Sequence, residues 1–112
     1  MTVRLTSQML VSALIRRAHV HGGNAAVLRR GDDGAGAVLL LCMERGRFVA
    51  LLERSLIDDG DYRWARCGPE ADDEAARDAY LERRRSRDPD LWLVELDIAG
   101  VERFAAETTG TG

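Results

Sequence analysis

Between Ser7 and His21 the apolar residues Val11, Leu14, Ile15 and Ala18 recur at the spacing of one helical face, which predicts a helix there. Thr6 or Ser7 offers a hydroxyl to cap its start, and Gly22-Gly23 ends it where a left-handed residue is wanted. Three short runs rich in Val, Leu and Ala follow, over Asn24 to Arg30, Gly36 to Met43 and Phe48 to Arg54, separated by turn residues. Tyr62 to Arg66 alternates, with Tyr62 and Trp64 on one side and Arg63 on the other, and predicts a fourth strand. A second helix begins at Asp72-Asp73-Glu74, where carboxylates suit a positive N-terminal end, and closes over Arg83-Arg84-Arg85, where cations suit the other end. Ala76, Ala79 and Tyr80 form its narrow apolar stripe, and Asp88-Pro89 stops it. Leu91 to Ile98 then alternates as a strand, with Trp92, Val94, Leu96 and Ile98 toward the core and Glu95 and Asp97 away from it. The expected architecture is one α+β domain over residues 1–107, a mostly antiparallel β-meander of about five strands packed with two α-helices, and a frayed tail over 108–112.

The stretch Arg29 to Val38, RRGDDGAGAV, sets three glycines beside two arginines and invites a phosphate-loop reading. A Walker loop requires a lysine that reaches the phosphates, and this chain contains none. A dinucleotide fingerprint opens a helix, whereas here an apolar strand follows Gly36. Asp33-Gly34 between two strand-like runs instead predicts a hairpin turn with Gly34 at positive φ, and Gly36 marks a bulge or a close backbone approach.

Composition narrows the function classes. The 112 residues are 46% hydrophobic and 31% charged, enough apolar content for a packed core. The longest apolar run, Ala37 to Met43, is far short of the roughly 20 residues of a membrane span, so no membrane partner is expected. The N-terminus has no secretory pattern, which points to the cytoplasm. A net charge of −3 argues against a dedicated nucleic-acid binder. The charge is asymmetric, with +4 over residues 1–56 and −7 over 57–112, so its placement in space matters. Packing the helices along the strands brings Arg16, Arg17, Arg45 and Arg47 to one rim, together with Glu70, Asp72, Asp73 and Glu74. The other end collects Arg29, Arg30, Arg54 and Arg83 to Arg85 with Asp32, Asp33, Asp58, Asp59, Asp88 and Asp90. Both ends are largely compensated, which favours structural ion pairs over a nucleic-acid footprint.

Candidate chemistry is sparse. Cys42 and Cys67 are too far apart for a Cys-x-x-Cys metal pair. Cys42 lies in an apolar run and reads as core, and the acids after Cys67 oppose a thiolate there. His19 and His21 sit two residues apart on a helix and point in different directions, and Asp58-Asp59-Gly60-Asp61 lacks the ligand spacing of a calcium hand. No metal, cofactor or catalytic residue is expected.

The stretches Val11 to Arg17 (VSALIRR), Ala25 to Val38 (AAVLRRGDDGAGAV), Asp78 to Leu81 (DAYL) and Asp88 to Glu95 (DPDLWLVE) together resemble domain-of-unknown-function family 1491, a family of short alphaproteobacterial proteins. The resemblance implies a single-domain cytosolic bacterial protein and carries over no catalytic residue, cofactor or substrate.

The reading that best fits these observations is a non-catalytic binding or interaction module whose partner is another protein, with a homodimer among the forms left open. The alternative is a small-anion or nucleotide-binding accessory protein or enzyme that uses Arg29 and Arg30, with Asp32 beside them, or the Arg16, Arg17 and Arg45 rim. A nucleic-acid-associated regulator is the third. A convergent cleft with perturbed titratable groups would favour the alternative, and an open sheet edge or apolar patch the first.

Overall fold

The computed structural model describes residues 5–56, 62–70 and 72–110. The elements run α1 (Ser7–Val20), β1 (Asn24–Arg29), β2 (Val38–Glu44), β3 (Arg47–Leu56), β4 (Tyr62–Arg66), α2 (Glu74–Arg87), β5 (Trp92–Asp97) and α3 (Val101–Gly110). The helix and strand periodicities therefore place seven of these elements within a few residues of their expected positions. The eighth, α3, was not expected. Val101, Phe104, Ala105 and Thr108 do recur at helical spacing, and all four are buried. The two threonines and the glycine of its last turn are poor helix formers, so packing rather than propensity holds it. Thr108, expected to fray, is buried and its hydroxyl donates to the Phe104 carbonyl at 3.0 Å. Residues 111 and 112 of the expected tail, and the Asp58 to Asp61 turn, lie outside the described residues.

The sheet is mixed and its order is β1-β5-β2-β3-β4, which corrects the expected meander. Strands β2, β3 and β4 do form an antiparallel meander. The last strand, however, inserts between the first two, antiparallel to β1 and parallel to β2. Asp33-Gly34 consequently joins two strands that do not pair, and it is no hairpin. Gly34 is not at positive φ either; among the described residues, Gly22, Arg45, Gly46, Gly68 and Gly100 are. The tight hairpin is at Arg45-Gly46, with φ of 52° and 78°, where both amides donate to the Asp97 carboxylate at 2.8 Å.

Glycines do shape the 31–36 loop, by proximity. A Cβ on Gly31 or Gly36 would overlap the Asp90 carbonyl oxygen, and on Gly31 it would also come within 2.6 Å of the Trp92 ring. The loop thereby lies flush against the Asp90 to Trp92 segment that leads into β5. Asp32 N–H donates to the Asp90 carbonyl at 3.0 Å, Trp92 Nε1–H donates to the Asp32 carbonyl at 2.7 Å, and Trp92 N–H donates to the Ala37 carbonyl at 2.8 Å. Two of the stretches that carry the family resemblance thus meet in space.

One face of the sheet packs under α1 and α3 in a core that includes Leu10, Leu14, Val38, Leu40, Cys42, Trp92, Val94 and Leu96. The other face lies under α2, which buries none of its residues fully. Of the expected stripe, Ala79 points to solvent and only Ala76 and Tyr80 are half-buried. Arginines make the contact instead: the Arg77 guanidinium stacks 4.1 Å from the Phe48 ring, and Arg84 forks onto Glu53 at 2.6 and 3.2 Å while donating to the Tyr80 hydroxyl at 2.7 Å.

The close approach yields an ordered expectation. Gly36→Ala should destabilise the protein by about 1 to 3 kcal/mol or more, because the Asp90 backbone has to move. Gly34→Ala, whose Cβ meets nothing nearer than the Asp32 carboxylate at 3.5 Å, should stay within about 0.5 kcal/mol. Urea midpoints at unchanged slope measure both, and equal losses would show that the loop does not dock this way.

Candidate functional site

The loop that resembled a phosphate cradle is taken up by its own structure. Ser7 and Gln8 N–H groups at the start of α1 donate to the Gly34 and Asp33 carbonyls at 3.1 and 3.0 Å. Met9 N–H donates to the Thr6 hydroxyl at 3.2 Å, and the buried Ser7 hydroxyl donates to the Gly36 carbonyl. The donors that would bind an anion at a helix N-terminus are therefore occupied by loop carbonyls and by the Thr6 cap. On the loop itself, the Gly34 and Ala35 N–H groups both donate to the Asp32 carboxylate at 3.1 Å, an acid where an anion site would leave free amides. A cleft of about 330 Å³ does open beside this loop, between Leu5 to Ser7, Gly34 to Val38, Arg54 and Tyr62. Its cation, Arg54, lies 3.9 Å from the centre of the Tyr62 ring.

The arginines singled out in the sequence do not converge. Arg30 pairs with Asp33 at 2.7 Å, both well exposed, and lies over Trp92. Its neighbour Arg29 turns to the opposite face of the sheet, where it lines a cleft beneath α2. Arg16 is exposed, Arg17 lies 5.6 Å from the Phe104 ring, and Arg45 sits at the β2–β3 turn. None of these last three makes an ion pair among the described residues. The acids nearest that rim act structurally: Asp97 holds the turn, Glu44 accepts from Gly100 N–H at 2.9 Å, and Glu102 holds Arg66. Arg66 keeps the Glu102 carboxyl below its ordinary range through this hydrogen-bonded pair.

The perturbed groups belong to packing. Burial pushes the Cys42 thiol up to about 12. Burial also raises Cys67, only partly offset by its hydrogen bond with Tyr80, and Tyr80 is raised for the same reason. A thiol held above its ordinary value carries little thiolate at neutral pH, so Cys67 is not a prepared nucleophile. Its surroundings include a recess of only about 70 Å³. No cluster of His, Cys, Asp and Glu that could hold a metal occurs among the described residues.

What remains open is the β1 side of the molecule. A cleft of about 310 Å³ runs between α2 and the β1–β5 pair, floored by Leu28, Leu81, Leu91 and Leu93 and rimmed by Arg29, Asp78, Glu82 and Arg85. Beside it β1 forms a sheet edge, paired only with β5, on which Val27 and Leu28 are 42% and 50% exposed. An edge strand presents unpaired backbone donors and acceptors. β1 touches α1, yet Asn24, Ala26, Val27 and Leu28 stay exposed, whereas the opposite edge, β4, packs against α3 and is tied there by the Arg66–Glu102 pair. The strand order sets what lies beside this edge rather than the edge itself: a sequence-order meander would leave β1 just as peripheral, whereas here its neighbour is β5, whose Leu93, with Leu91 just before the strand, lines the cleft.

Comparison with known proteins follows the same lines. The sequence profile of the family described as protein of unknown function DUF1491 matches residues 5–106. This chain belongs to the DUF1491 family. Among solved structures, it is similar to the crystal structure of a DUF1491 protein from Caulobacter crescentus CB15, at 36% identity and a TM-score of 0.77 over 90% of this chain and 94% of that one. A nuclear magnetic resonance structure of a DUF1491 protein from the same organism gives 37% identity and 0.77 over 90% and 93%. A solution structure of a protein from A. tumefaciens gives 34% and 0.67 over 86% and 87%. No curated protein matches. The mixed five-stranded sheet with three helices is thus the fold of this family, and the family description assigns it no function.

The occupied donors predict that the melting temperature responds to phosphate or sulfate only by the gradual, non-saturating rise of a surface-excluded salt. A saturable rise in the wild type that disappears in Arg29→Gln/Arg30→Gln would instead establish an anion site.

Proposed function

We propose that this DUF1491 protein is a non-catalytic interaction module that accepts an extended segment of a protein partner along the β1 edge. The observation that carries the reading is the unprotected edge itself. Val27 and Leu28 are exposed on a strand with one free side, next to a leucine-floored cleft that could take the side chains of an added strand. The groups shown to be shifted among the described residues do not line the cleft between α2 and β1, which weighs against chemistry there. The small-anion alternative loses its support where the glycine loop engages its amides with Asp32 and its carbonyls with α1. A nucleic-acid role finds no patch of unopposed arginines at the loop end, where Arg30 is paired with Asp33. Both cysteines are free thiols, which suits a reducing compartment, and we assign the protein to the cytoplasm of its bacterium. No helix among the described residues is long and apolar enough to cross a membrane.

The test is capture of partners from the native host by tagged wild type, Val27→Lys/Leu28→Glu and Arg45→Glu, each first shown by circular dichroism to be folded. Partners retained by wild type and Arg45→Glu but lost by the edge variant are expected. Loss with Arg45→Glu and retention by the edge variant would move the function to the α1 rim.

A further inference from the structure

The β1 edge carries an unmatched charge pattern. Arg29 lies on the α2 face, and its Nε is buried without a hydrogen-bond partner although Asp78 and Glu82 line the same cleft. Glu82 is engaged by Arg85 at 3.6 Å instead. Glu95 faces the same side, because Trp92, Val94 and Leu96 face the α1–α3 core and side chains alternate along the strand. It is half-buried and makes no hydrogen bond or ion pair among the described residues, and its neighbour on the edge strand is the short Ala26. An edge strand thus presents a cation at its C-terminal end and an acid one strand behind its middle, both lacking partners.

We propose that the segment received at this edge is β1 of a second copy, giving a two-fold symmetric dimer with a continuous sheet. The proposal rests on the docking reading above and names its occupant. Antiparallel pairing of two β1 strands about an axis at Val27 sets the two Val27 side chains together on the α1 face. On the α2 face it seats each Leu28 beside the small Ala26 of the other copy. The same operation turns each Arg29 toward the partner's Glu95, so one contact is made twice, as an isologous interface requires. The bulge between Val27 and Arg29 places Leu28 and Arg29 both along the α2 cleft, which lets the apolar and the ionic contact form on one face. An unrelated peptide would need an acid and a base at matching positions, whereas a second copy supplies both by symmetry.

Sedimentation equilibrium of the purified protein alone tests this. Wild type should be in monomer–dimer exchange at concentrations on the order of tens of micromolar, the range of a small, weakly apolar interface. Arg29→Glu and Glu95→Arg should each weaken the dimer by about tenfold or more, since each replaces attraction with like-charge contact. An equimolar mixture of the two variants should recover the wild-type affinity. Every mixed interface then joins the two substituted side chains, again of opposite charge, at one contact and the native Arg29 and Glu95 at the other. Val27→Lys should abolish the dimer independently of the charges. A dimer indifferent to all three substitutions would overturn the proposal, as would a mixture no tighter than its components. A wild type that stays monomeric, while capture from the host still depends on Val27 and Leu28, would overturn the dimer and leave edge docking standing. Monomer together with capture indifferent to those residues would remove both.

Discussion

Everything in this fold depends on how the chain enters β5. The Asp90 to Trp92 segment can lie against the 31–36 loop only because Gly31 and Gly36 have no side chains. Trp92 then ties the contact with its indole N–H on the Asp32 carbonyl and its backbone N–H on the Ala37 carbonyl. These bonds hold a late strand between two early ones. Such a parallel, non-local pairing requires a large loop closure before it returns any contact energy, so a specific docking device is what makes it competitive with a simple meander.

The same contact shapes both the glycine loop and the β1 edge. With one side of the loop against β5, its carbonyls turn to the start of α1 and replace the partners that helix end lacks. Three loop amides, those of Asp32, Gly34 and Ala35, are thereby engaged within the protein. With β5 inserted, β1 stays at the edge but pairs with β5 in place of β2, and its outer side is free. The opposite face adds the second element of the candidate site, because α2 docks over Phe48, Leu51 and Glu53 through Arg77, Tyr80 and Arg84 and leaves a cleft toward β1. Arg84 gains from that fork: its hydrogen bonds to Glu53 raise its affinity for the proton, and both partners are only part-buried, so the pair is oriented without a heavy desolvation cost.

Local structure was legible in the sequence and long-range placement was not. The spacing of Val11, Leu14 and Ala18 and the alternation of Trp92, Val94 and Leu96 report which side of each element faces the core, and burial agrees at every one of these positions. Periodicity is silent on which strand neighbours which, so Asp33-Gly34 read as a hairpin although β1 and β2 are separated by β5. Gly36 did register as a close approach, but the neighbour that requires it, Asp90, lies far along the chain. The Ala76, Ala79 and Tyr80 stripe tells only part of the α2 contact, because Arg77 over Phe48 and Arg84 on Glu53 add to what the half-buried Ala76 and Tyr80 supply. The cleft beside the open edge, and with it the candidate site, depends on the strand order that puts β5 next to β1. Of Arg16, Arg17, Arg29, Arg30 and Arg45, Arg29 alone lines that site.

The most direct test of this account is residue-resolved hydrogen exchange in Trp92→Phe, which keeps an aromatic ring in the core and removes the donor to Asp32. If Trp92 is the tie that holds β5 in place, protection should fall together across the 31–36 loop, the amides of Ser7 and Gln8 at the start of α1, and the β1–β5 ladder, while the β2–β3 hairpin keeps its own. Unchanged protection at the start of α1 and along β1, with any loss confined to the side chain's immediate neighbours, would contradict it.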